Sequence, residues 1–346
     1  MIKKYTLLLI VFSAFFVKAQ DIHYTQFYNA PLVTNPALTG LTKGAYRVGI
    51  IYRNQWFSGV SSGFFNSPYQ TPSVFADVPI RIKNDILGVG AYFLYDKAGA
   101  GSLTTYQAEL SVSYIKSLGR DGNHQLSAGL QAGYSQAQYN LSSAQFASQF
   151  TGNEFNANLN PNINMTPNKG YLNLNAGLLY YGKFTDKISM YIGGSLANTT
   201  TPKVNLTNGA TTKNLPMKWT ASGGLDFGLG SRYHLLPSAL FMRQSTADQL
   251  NAGLGFGIDI SDKTNITLGV YDRVNNITSR LVASDAVIAY AGFEFAGFKL
   301  GASYDFTTSY WKNAKPAVGA LEISLMYIGK RKADLTERRI LFCPRF

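Results

Sequence analysis

Beyond its first twenty residues the chain has no apolar run approaching the ~18 residues that a membrane-spanning helix needs, which excludes a helical membrane protein. Cysteine is nearly missing. Cys343, in the closing stretch RRILFCPRF, stands alone, so no disulfide framework can stabilise the fold. Histidine is almost as scarce, with His23, His124 and His234 far apart in the chain. None lies in a long connection beside a serine it could activate, and no H-x-x-x-H, C-x-x-C or tight Asp/Glu/His grouping is present. Neither a Ser/His hydrolase nor a metal site is supported, and His234, at the start of a strand, reads as a rim residue. The G-x-G pairs in LGVGAY and LGFGID do not follow a strand to open a helix, so they read as close packing on strands and not as a phosphate cradle. The expectation is a chain that is not an enzyme and holds no cofactor.

Charge is also sparse, at 14% of residues against 46% hydrophobic. The balance is basic, +12, but the cations are scattered instead of forming a stripe, which disfavours nucleic acid as a partner. The hydrophobic content and the lack of low-complexity tracts argue against disorder.

What is abundant is 33 glycines, 22 tyrosines and 22 phenylalanines. Glycine and aromatics with little charge suit strands that meet lipid on one face and a packed or wet interior on the other. The opening MIKKYTLLLIVFSAFFVKAQ, with Lys3 and Lys4 before an apolar run and Val17-Lys18-Ala19 after it, reads as a cleavable signal over 1–19. No cysteine stands at the cleavage point, so a lipid-anchored lipoprotein is not expected.

Period-two alternation recurs along the rest of the chain. In NITLGVYDR, Ile266, Leu268 and Val270 share one face and Thr267, Gly269, Tyr271 and Arg273 the other; in VGALEISLMYI, Leu321, Ile323, Leu325 and Tyr327 oppose Ala320, Glu322, Ser324 and Met326. Such segments fall near 44–56, 69–81, 85–96, 104–117, 124–138, 170–183, 187–197, 217–228, 232–243, 249–260, 263–274, 285–295, 297–308 and 317–329, fourteen in all. Short links carrying Gly, Asn or Asp, such as Lys83-Asn84 and Ser261-Asp262, alternate with longer ones at 57–68, 97–103, 139–169, 198–216, 244–248, 275–284 and 309–316. A transmembrane antiparallel β-barrel predicts this, with short periplasmic turns, long extracellular loops and both termini periplasmic. The expected organisation is a signal peptide at 1–19, a periplasmic N-terminal tail at 20–43, the barrel at 44–329 and a periplasmic C-terminal tail at 330–346.

A barrel of this size is too wide for its own side chains to fill. Candidate plugs are the 139–169 segment and the two tails. The N-terminal tail combines Pro31 and Pro36, which remove ladder donors, with Tyr24, Phe27, Tyr28, Leu32 and Leu38, too apolar for a solvated leader. It is expected at the periplasmic mouth or inside the barrel. Asp96 and Asp305 read as acids at strand ends, suited to rim hydrogen bonds.

The ordered set QFYNAPLVTNPALTG, YRNQW, FLYDKAGAGSLTTYQAELSVSYIKSLG, LSAGLQAGY, GASYDF, LEISLMYI and CPRF resembles the PorP/SprF family of type IX secretion system outer-membrane proteins. The resemblance implies an integral barrel in the outer membrane of Bacteroidota, embedded in lipid and without a catalytic role. Its implied partners are a large secreted cargo, such as a gliding adhesin, recognised by its C-terminal sorting domain, or periplasmic ring and motor components of the machine. The family-like positions are Asn35, Pro36 and Gly40 in the tail; Arg53, Gln55 and Trp56 in the first strand; Tyr304, Asp305 and Glu322; and Cys343, Pro344 and Phe346. Asn35-Pro36-Ala37 suits a turn, Trp56 an interface girdle, and Arg53 with Glu322 an interior ion pair, because the first and last strands of a closed barrel are neighbours. A passive channel or transporter for small or hydrophobic molecules is the rival reading.

Overall fold

The computed structural model describes residues 22–56, 69–98, 103–119, 122–139, 147–156, 158–160, 169–204, 213–275, 283–309 and 319–330. The 1–19 signal and most of the C-terminal tail, with Cys343, Pro344 and Phe346, lie outside them. Fourteen antiparallel strands close into one barrel: β1 Tyr46–Gln55, β2 Tyr69–Ile82, β3 Asp85–Ala98, β4 Leu103–Leu118, β5 His124–Tyr139, β6 Lys169–Thr185, β7 Ile188–Ala197, β8 Lys218–Leu229, β9 Tyr233–Gln244, β10 Ala247–Ser261, β11 Thr264–Asn275, β12 Ala283–Phe295, β13 Phe298–Thr307 and β14 Gly319–Gly329. Each strand pairs with its sequence neighbours, and β1 pairs with β14 to complete the ring. No edge is left to expose backbone polar groups, which is the condition for crossing lipid with strands.

Inside and outside are inverted relative to a protein folded in water. On β14, Ile323 and Leu325 are exposed while Glu322, Ser324 and Met326 are buried. Leu110, Leu130 and Val270 are 71%, 63% and 61% exposed, whereas Ser111, Ser127 and Gln131 are buried. The apolar face points outward because a bilayer receives it, and the lumen takes the polar one.

Three expectations need correction. The 244–248 connection is a two-residue turn, Ser245-Thr246, with Ser245 at φ 57, so one tight turn sits among the longer loops. A ribbon of Lys203–Val204 and Lys213–Asn214 adds a small sheet between β7 and β8. The 139–169 candidate plug is exposed over its described part at 147–160, Gln149 and half-buried Asn156 apart.

The N-terminal segment, expected at the periplasmic mouth or inside the barrel, lies inside it over 22–42. Pro31 starts a four-residue helix, α1 Pro31–Thr34. Pro36 starts a 3-10 turn, Pro36–Leu38, whose entry is capped by the Asn35 side chain. Proline fixes φ and lacks the donor that a ladder would require, so these residues favour compact turns over a further strand. Tyr24, Phe27, Tyr28, Leu32, Leu38 and Leu41 are buried. Hydrogen bonds run from this segment to strands on all sides of the ring, and a segment touching opposite walls of a closed barrel lies in its lumen. Phe27 and Tyr28 cluster with Leu240, Tyr271, Ile288 and Tyr290 on one wall; Leu38 and Leu41 cluster with Ile86, Ile115 and Leu179 on another. Each such side chain contributes about 1.5–3 kcal/mol on leaving water.

Candidate functional site: a latched plug and the mouth beneath it

At the seam of the barrel Arg53 and Glu322 are register partners on β1 and β14, and their side chains form an ion pair. The Glu322 carboxylate also accepts the backbone amides of Thr25 (2.6 Å) and Gln26 (2.9 Å) from the plug. Arg53 donates from Nη2 to Asp305 Oδ2 at 3.1 Å and from Nη1 to Thr25 Oγ1 at 2.6 Å. Arg273 on β11 completes the cluster, donating to Asp305 Oδ2 at 2.6 Å and to Asp285 Oδ2 at 2.9 Å. Two guanidinium groups and three carboxylates from five strands thus enclose Thr25. Buried charge is tolerated only when it is paired and hydrogen-bonded, and here the plug supplies part of that satisfaction.

A second latch holds the other end. Arg47 donates to both oxygens of Asp77 at 2.9 and 2.7 Å and to the Leu38 carbonyl at 3.0 Å, while Asp77 Oδ2 accepts the Gly40 amide at 2.6 Å. Gly40 has φ +71 and lies so close to Gly88 that a Cβ would stand 2.5 Å from its Cα. Gly88 in turn faces the Thr39 carbonyl, 2.2 Å from where its own Cβ would be. This glycine of LGVGAY is therefore a point of close plug approach.

Between the latches, Asn35 Oδ1 accepts the Ala37 amide at 2.8 Å, and its Nδ2 donates to the carbonyls of Leu178 (3.2 Å) and Gly194 (3.1 Å). Ser127 donates to the Ala37 carbonyl at 2.7 Å and Ser195 to the Thr34 carbonyl at 2.9 Å. Burial of the Tyr24 phenol in the plug raises its pKa well above the usual tyrosine value.

Of the family-like positions, the structure thus brings Asn35, Pro36, Gly40, Arg53, Asp305 and Glu322 to the plug and its latches. Gln55 sits beside them, its Oε1 accepting from Arg53 Nη2 at 3.4 Å. Trp56 follows β1 with φ 61 and stacks edge-on against Tyr69 at 5.0 Å. Tyr304 packs on Phe306 on the outer face, with ring centroids 4.7 Å apart. Asp305 is not a rim residue as expected: it is 1% exposed, in the centre of the seam latch. Thr25, Arg47, Asp77, Arg273 and Asp285 were not singled out from sequence. The available signal was parity, since Arg47, Arg53 and Arg273 all fall on the lumen face of a strand, where a cation needs a counterion.

Under the plug, at the end carrying the short turns, opens a cavity of about 820 Å³ lined by Lys43, Arg232, Lys263 and Lys330 with Leu236 and Met326 on its inner wall. His234 lines it too, with Nδ1 2.7 Å from Asp226 Oδ1 and Nε2 3.2 Å from Asp259 Oδ2. This close Asp/His/Asp grouping escaped the sequence because three strands assemble it. Among the described residues no cluster is arranged to hold a metal ion.

Solved outer-membrane barrels share the architecture. A deltaS2 mutant of the TodX monoaromatic hydrocarbon channel matches with TM-score 0.53 at 10% identity, covering 88% of this chain and 94% of that one. A Pseudomonas aeruginosa FadL homologue matches at 0.50 and 12% identity, covering 85% and 92%. The Pseudomonas putida toluene transporter TodX matches at 0.50 and 10%, covering 88% and 95%. At such identities the likeness concerns the fold alone. No curated protein matches. The model of the type IX secretion system membrane protein PorP/SprF family matches residues 16–327, and with its outer-membrane barrel architecture the chain belongs to that family.

Proposed function

We propose that this barrel supports export or surface attachment of a large secreted, adhesin-like cargo by binding the cargo's C-terminal sorting domain, and that it acts by binding and not by catalysis. The observation that carries the reading is the plug. A lumen occupied by 22–42 and tied to the wall by two charged latches suits a docking platform better than an open pore. In this reading the short turns and both termini face the periplasm, where periplasmic secretion components are within reach, and the longer loops face outward. The hydrocarbon channels of similar fold carry no argument for transport here, because identity to them is so low.

Capture of the barrel in mild detergent from its native envelope tests the reading. A co-purifying large protein with a C-terminal sorting domain is the expected result. Recovery of the barrel with neither such a cargo nor type IX components would overturn it. Robust open-channel conductance of the purified, intact chain in planar bilayers would favour the channel instead.

A further inference from the structure

The mouth beneath the plug has its own charge pattern. Lys43, Arg232, Lys263 and Lys330 line the cavity, are exposed, and form no ion pair among the described residues. Three acids share the lining, Asp259, Asp262 and Glu294. Asp259 accepts from Asn265 Nδ2 at 2.6 Å and meets His234. Glu294 stands opposite Lys299 in the β12–β13 register. Asp262, in the turn after β10, is the remaining acid of the lining. With Arg47 and Lys299 the lining holds six cations against three acids, which makes the mouth a positive cup. Its inner wall is apolar: Leu236 and Met326, both 6% exposed, lie beside the plug's Tyr28.

We infer that this mouth is a docking site for an acidic segment of a protein partner, entered from the short-turn end, with the carboxylates meeting the four cations and an apolar side chain reaching Leu236 and Met326. The cavity is within the ~300–1,000 Å³ range of built ligand sites. A lipid headgroup is the poorer match, because these cations line a cavity enclosed by the barrel wall and roofed by the plug, whereas lipid meets the outward faces of the strands. Clefts lined by one sign of charge also concentrate and steer oppositely charged partners. The inference rests on the reading that the barrel works with protein partners, but its test does not require the cargo.

The probe is a fluorescein-labelled oligoglutamate peptide ending in leucine, added to the detergent-purified full chain and followed by anisotropy. Binding is expected to weaken as salt rises and to fall roughly tenfold in the double variant Arg232→Glu, Lys263→Glu, equivalent to ~1.4 kcal/mol. Both residues are exposed, so their reversal leaves the barrel folded, which its thermal transition verifies. Lys187→Glu, on an exposed turn residue that does not line the cavity, should bind like the parent, and an oligolysine peptide should not bind. The inference is overturned if the acidic peptide fails to bind, if the double variant binds it unchanged, or if that variant loses co-purifying phosphatidylglycerol while peptide binding is intact. Loss of peptide binding in the double variant alone, with its cargo capture unchanged, would uphold the docking site and separate it from the cargo reading.

Discussion

Arg53 and Glu322 face each other across the junction where the first and last strands close the barrel, and Glu322 simultaneously holds the backbone amides of Thr25 and Gln26. One ion pair therefore fastens both the ring and its plug. Its two roles are coupled: whatever loosens the plug leaves charge on the lumen wall less well satisfied.

The Glu322→Gln substitution tests that coupling. The amide keeps an oxygen for Thr25 or Gln26 but removes the charge facing Arg53. Breaking one partner of a buried pair costs ~3–5 kcal/mol, and Asp305 at 3.1 Å from Arg53 moderates the loss. A fall of about 3 kcal/mol in unfolding free energy is expected, read by denaturant titration in detergent. Glu322→Gln behaving like the parent would show that the pair holds nothing.

Glycine contacts give a second test of the plug's seat. Gly88→Ala places a methyl group 2.2 Å from the Thr39 carbonyl, whereas Gly194→Ala meets nothing nearer than 3.4 Å. The first should destabilise by about 1–3 kcal/mol, as overpacking does, and should speed protease cleavage of the 22–42 segment. The second should do neither. Equal protease sensitivity of the two variants would contradict the close seating of Thr39 and Gly40.

The outward face makes a third prediction. Leu130 is 63% exposed near the middle of β5, so Leu130→Arg carries a cation into hydrocarbon. The expected cost is ~2–4 kcal/mol in a bilayer, seen as reduced folding into vesicles. The same change at the exposed short-turn residue Ser231 should cost almost nothing. No difference between the two would count against lipid contact at Leu130.

How much of this was legible in the sequence depends on the kind of constraint. Transmembrane strands must alternate along their whole length, so Leu321 to Met326 announced both faces of β14. The start of β10 did not: Asp248 and Gln249 are polar and buried, and Ser245 turns with positive φ without a glycine or asparagine to mark it. Arg53 and Glu322 could be matched because closure makes their strands neighbours. Arg273 and Asp285 could not, since the β11–β12 register shifts between Arg273 and Val274. The plug has no period at all. Its prolines said only that it was not a strand, and its partners, from Asp77 to Ser324, are fixed by a three-dimensional path that residue spacing does not encode.

Deleting residues 22–42 is the most direct test of what the plug does. The lumen of so wide a barrel fills with water when its plug is absent, so conductance in planar bilayers should rise from near zero to stable open steps. The same deletion removes the Thr25 and Gln26 amides from Glu322 and the Gly40 amide from Asp77. The empty barrel should therefore unfold at lower denaturant than the intact chain, although Arg53–Glu322 and Arg47–Asp77 still pair across their strands. Open conductance without loss of stability would mean that the latches serve the wall alone. Unchanged conductance would mean that the plug is not what closes the lumen, and the docking-platform reading would lose the observation that carries it.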